Sequence, residues 1–96
     1  MTEVQIIKCS KIAKHYGLRN QKLQAAQELN ELQALLLRRK NQITNQRDHH
    51  NNIVDEIADC TIMIEQLRQL YNIEMSEISD RINQKLNRQI ERMNNE

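Results

Sequence analysis

Between residues 52 and 71 the apolar positions Ile53, Ile57, Cys60, Ile64, Leu67 and Tyr71 recur at steps of four, three, four, three and four. That spacing draws one face of an α-helix, and Glu56, Asp59 and Met63 fall on its shoulder, about a quarter-turn away. A second long helix is predicted over 19–43. Its seam is Leu18, Ala25, Leu29, Leu32, Leu36 and Ile43, with Lys22 and Arg39 interrupting what would otherwise be a continuous heptad. Beside that seam runs a second stripe, Gln24, Glu28, Glu31 and Leu35. A first helix spans 3–15: Thr2 and Gln5 form a capping-box pattern, and Gly17 stands where a C′ residue ends a helix. The run TNQRDHHNN, residues 44–52, has no apolar side chain and reads as the loop between the two long helices. A fourth helix, 75–93, carries the narrow stripe Ile78, Ile82, Leu86, Ile90 and Met93. Arg81, Lys85, Arg88 and Arg92 follow alongside it.

Composition narrows the class. One glycine and no proline leave too little turn chemistry for a sheet protein, so the chain reads as a single all-α domain over 1–96. A chain of this length buries only about 60 to 65% of its unfolded surface. Four helices with broad apolar faces are therefore expected to form a bundle completed by oligomerisation, as a homodimer or homotetramer. The net charge of +1 gives no basic excess to drive counterion release, so no nucleic-acid partner is expected. No apolar run approaches the ~18 residues of a membrane span, which predicts a soluble protein of the cytoplasm with no membrane partner. Cys9 and Cys60 sit within apolar stripes and read as reduced core thiols.

The chemistry lies in the acids. Successive helices joined by a short polar loop pack antiparallel, which brings Glu28 and Glu31 opposite Glu56 and Asp59. Four hard oxygen donors suit Mg²⁺, with Mn²⁺ as the alternative, and not zinc, which favours Cys or His. A di-iron bundle is disfavoured because no Glu-x-x-His pair occurs. His49 and His50 belong to the polar run and read as a solvated turn, while His15 reads as a helix-end cap.

The segments QELNEL (27–32) and DEIADCTIMIEQL (55–67) resemble the MazG-like family of all-α nucleoside triphosphate pyrophosphohydrolases, whose signature is EExxE followed by ExxD. The resemblance covers about 18–92 and places Glu28, Glu31, Glu56 and Asp59 at the family's metal-binding, catalytic positions. Gln27 replaces the first Glu of EExxE, leaving the paired ExxE in place. Lys85, Gln89 and Arg92 match the family's phosphate-contacting pattern, with Arg88 beside them; Gln89 stands where an Asn is common. The resemblance implies Mg²⁺-dependent conversion of a nucleoside triphosphate to the monophosphate and pyrophosphate, with a housecleaning or nucleotide-pool role. A rival reading is a non-catalytic helical interaction protein whose acidic and basic stripes pair across an oligomer.

Overall fold

The computed structural model describes residues 1–96 and is all-α. Its helices are α1 (Glu3–Leu36), α2 (Gln46–Leu70) and α3 (Met75–Asn94), with one 3-10 turn at Lys40–Gln42. Thr2 caps α1 as its sequence predicts: its Oγ1 accepts from the Gln5 N–H at 3.2 Å, and its own N–H donates to Gln5 Oε1 at 2.8 Å. At Gly17 the backbone leaves helical geometry, with φ 82° and ψ 168°. This region is open essentially to glycine alone. Asn20 Nδ2 donates to the Tyr16 carbonyl at 2.8 Å, giving a partner to a group at the break. Two arms result, residues 3–16 and 18–36, matching the separate first and second helices expected from sequence.

Two boundaries differ from expectation. The second arm stops at Leu36 instead of Ile43, because no side chain from Leu36 to Ile43 is buried and packing gives most helices their stability. Arg38, Arg39 and Lys40 then follow, cations favoured just past a helix C-terminus. The run read as a loop is mostly helix: Asn45 Oδ1 accepts from the Asp48 N–H at 3.1 Å, so α2 opens at Gln46 and contains both His49 and His50. Polarity there marks an exposed helix end, since nothing in the run breaks a helix once it is capped.

α2 ends at Leu70, close to where its pattern predicts. Asn72 adopts φ 55°, the Asn72 N–H donates to the Gln69 carbonyl at 3.1 Å, and the Ile73 N–H reaches the Arg68 carbonyl at 2.9 Å. These paired bonds close the helix through a left-handed residue. Arg68 ties the turn down, donating from Nη1 to the Ile73 carbonyl and from Nε to Glu65 Oε1, both at 2.8 Å. That guanidinium holds the Glu65 carboxyl below its usual range.

Both arms of α1 pack on α2. Gln69 Nε2 donates to the Ile6 carbonyl at 3.3 Å, while Gln21 bonds Gln66 from the second arm. The face that closes takes Ala25 and Cys60 from the apolar seams read in the sequence but is otherwise rotated toward their shoulders. Gln21, Ala25 and Leu35 are buried from one side, and Cys60, Met63 and Gln66 from the other. Ile64 is 54% exposed and Leu36 62% exposed, although both are seam positions. Each helix carries more apolar surface than one neighbour can cover, so the shoulder holding the acids becomes the contact. α3 makes no extended packing against α1 or α2, and a single chain does not close a four-helix bundle. Only eight of 96 residues are buried.

Gly17→Ala is expected to lower stability by about 1 to 3 kcal/mol, the usual cost of holding a residue with a Cβ in this backbone region. No atom lies near an added Cβ, so the loss is conformational. Urea unfolding followed by circular dichroism measures it, and an unchanged midpoint would mean that the break does not depend on glycine.

Candidate functional site

Glu28 and Glu31 occupy one turn of α1, and Glu56 faces them from α2. One carboxylate oxygen from each lies within 4.8 Å of the other two. The ExxE spacing puts two acids on one helix face, and antiparallel packing supplies the third. Gln24 Nε2 donates to Glu28 Oε1 at 3.0 Å. By contrast, Glu28 Oε2 and Glu56 Oε2 are buried with no hydrogen-bond donor. Buried acceptors in that condition are costly and call for a proton or a cation.

The electrostatics agree with the geometry. The Glu56 carboxyl is pushed up from 4.5 to about 7, first by burial and then by the neighbouring Glu28 and Glu31 carboxylates. Three oxygen donors with two orphaned atoms fit Mg²⁺ or Mn²⁺, which take carboxylate and water ligands. Neither Cys nor His joins the three acids. Cys60 is buried nearby; burial first, and then Glu56, Glu28, Asp59 and Glu31, raise its thiol pKa, making it a poor nucleophile. Cys9 is likewise free and buried, and its thiol pKa is also raised, chiefly by burial.

Asp59 lies one turn along α2 from Glu56, is exposed, and joins Glu28 at the edge of a neighbouring cleft. It is not one of the three acids whose oxygens converge. Lys85, Arg88, Gln89 and Arg92 are all exposed on α3, which a single chain does not bring against the acids. His49 differs from the solvated turn expected for it: it is half-buried in α2, with an unpartnered buried Nδ1.

Sequence reasoning missed Gln21 and Gln66. They are buried and bonded to each other, and they line a cleft of about 260 Å³ with Ile12, Gln24, Glu28, Asp59, Ile62 and Met63. Heptad spacing was the available clue, because Gln21 lies seven residues before Glu28 and Gln66 seven after Asp59. In comparisons with family models, curated proteins and solved structures, no match to this chain was found.

Glu56 makes metal-free stability depend on pH. The folded protein holds this proton more tightly than the unfolded chain does, so the contribution is complete below 4.5 and is lost as pH rises through about 7. Glu65, with its carboxyl lowered, acts oppositely, and its contribution is lost as pH falls. Comparing wild type with Glu56→Gln in chelator by urea unfolding isolates the first effect. The wild type should weaken relative to the variant between pH 5 and 8, and parallel curves would contradict the raised value.

Proposed function

We propose that this chain is a Mg²⁺-dependent nucleoside triphosphate pyrophosphohydrolase of the MazG-like kind, releasing a nucleoside monophosphate and pyrophosphate. The observation that carries this reading is the meeting of Glu28, Glu31 and Glu56 within 4.8 Å, with buried oxygens of Glu28 and Glu56 left without donors. Bound there, Mg²⁺ would neutralise triphosphate charge and acidify a water.

In this reading Glu28 and Glu56 hold the cation from opposite helices, and Asp59 extends the set along α2. Glu31 is the exposed member of the trio and is open to orient a water or take its proton, through a carboxylate oxygen, for attack on the α-phosphorus. Lys85, Gln89 and Arg92, with Arg88 beside them, then bind the phosphates and stabilise the leaving pyrophosphate. Self-association is part of the proposal, as a homodimer or homotetramer. Ile82, Leu86, Ile90 and Met93 on α3 are about half exposed or more and have no partner within the chain, so another copy would cover them and bring basic residues toward the acids. A nucleotide-pool role in the cytoplasm goes with this activity.

The same exposed apolar surface favours a second reading, a non-catalytic assembly protein in which acidic and basic stripes join copies. Supplied with Mg²⁺ and a panel of canonical and modified nucleoside triphosphates, the protein should release pyrophosphate. Orthophosphate, or no product across the panel, would defeat the enzyme reading. Glu28→Gln should lower turnover by more than roughly 100-fold, since even outer partners of metal ligands cost 10- to 100-fold. Its sedimentation coefficient should not change, whereas a changed assembly state without prior turnover favours the second reading. Ile82→Glu with Ile90→Glu should shift sedimentation toward the monomer, and unchanged sedimentation would place the self-association surface elsewhere.

A further inference from the structure

We propose that Gln21 and Gln66 form the nucleobase-reading floor of this site, gripping the base edge by paired amide hydrogen bonds while the carboxylates face the triphosphate. The inference rests on the nucleotide reading above and names the residues that choose among nucleotides. Gln66 is 1% exposed and Gln21 6%, a degree of burial that amides reach only with partners. The Gln21 amide nitrogen donates to the Gln66 carbonyl, and that is the one hydrogen bond the pair makes. No second side-chain hydrogen bond engages the Gln21 carbonyl or the Gln66 amide nitrogen. Both residues line the cleft. One acceptor and one donor of a buried pair therefore stand unpartnered where both residues line the cleft.

The walls suit a planar ring. Ile12, Ile62 and Met63 supply apolar contact, and Ile12 and Ile62 also line an adjoining cavity of about 500 Å³ with Met1, Cys9 and Ala58. A flat heterocycle with apolar faces and an edge of adjacent donors and acceptors is a nucleobase. The spacing also fits: Gln21 and Glu28 are seven residues apart on one helix, about 10 Å along its axis, a span that a sugar and its first phosphate can bridge. Glu28 and Asp59 at the cleft edge lie on the side leading to the acid cluster. Desolvated amides of this kind discriminate strongly, because a base with mismatched edge groups leaves them unpaired.

The test is calorimetric titration in Mg²⁺ with non-hydrolysable α,β-imido analogues of dATP, dCTP, dGTP and dUTP, and with tripolyphosphate, which lacks a base. Wild type should separate the best and worst bases by about tenfold or more. The pair Gln21→Met with Gln66→Met removes both partners together and leaves no orphaned amide. It should compress that spread to below about threefold and change tripolyphosphate affinity by less than about twofold. A spread that survives in the folded double variant overturns the proposal. So does a wild type that binds tripolyphosphate and all four analogues without discrimination, and the metal–triphosphate reading then stands. Binding of none of the probes overturns both. A second measurement needs no variant fold: the side-chain NH₂ resonances of Gln21 and Gln66 should shift with a preferred analogue and stay in place with tripolyphosphate. Equal shifts with both probes, or none with either, count against base reading.

Discussion

Three carboxylates held against one another along the α1–α2 contact are the constraint that organises this molecule. Like charges at such separation repel, and burial strengthens the repulsion by removing water. The fold accepts this in a chain with only eight buried residues, where little apolar packing is available to offset it. The outcome is visible at Glu56, whose carboxyl is pushed up to about 7 first by burial and then by Glu28 and Glu31 beside it. Sites that violate the ordinary rules of burial are where function tends to reside.

The rest of the hairpin serves to hold that contact. Gly17 breaks α1, and both of its arms then use α2: Ile6 meets Gln69 from the first, and Gln21 meets Gln66 from the second. The far end of α2 has the opposite electrostatic character. There Glu65 is matched by Arg68 at 2.8 Å and also accepts from Gln69 at 3.3 Å. One end of the helix is thus closed by satisfied polar groups, and the middle keeps acceptors in reserve. Cys60 is buried nearby, its thiol kept protonated chiefly by burial.

α3 has a different standing. Its apolar stripe is regular and its basic residues keep their spacing, yet it extends from the hairpin without packing on it. An amphipathic helix left in that state exposes apolar surface to water at a cost that another surface can relieve. The hairpin has the complementary need, since leucines such as Leu29 and Leu36 remain outside its core. Shape and charge in this chain therefore both leave room for association.

The sequence by itself determined the helical class, the break at Gly17, the Thr2 cap, the end of α2 near Tyr71, and the one-turn spacing that puts Glu28 and Glu31 on one helix face. Each follows from local stereochemistry or helical periodicity, which neighbouring residues carry among themselves. Only the tertiary structure decided which face of each helix closes. It combined the seam residues Ala25 and Cys60 with the shoulder of Gln21, Glu28, Glu56, Met63 and Gln66, brought Glu56 against Glu28 and Glu31, moved the start of α2 back to Gln46, left Asp59 outside the converging trio, and left α3 unpacked. Periodicity ranks the faces of an isolated helix by apolarity, whereas packing selects the pair of faces that fit, and that choice depends on residues far apart in the chain.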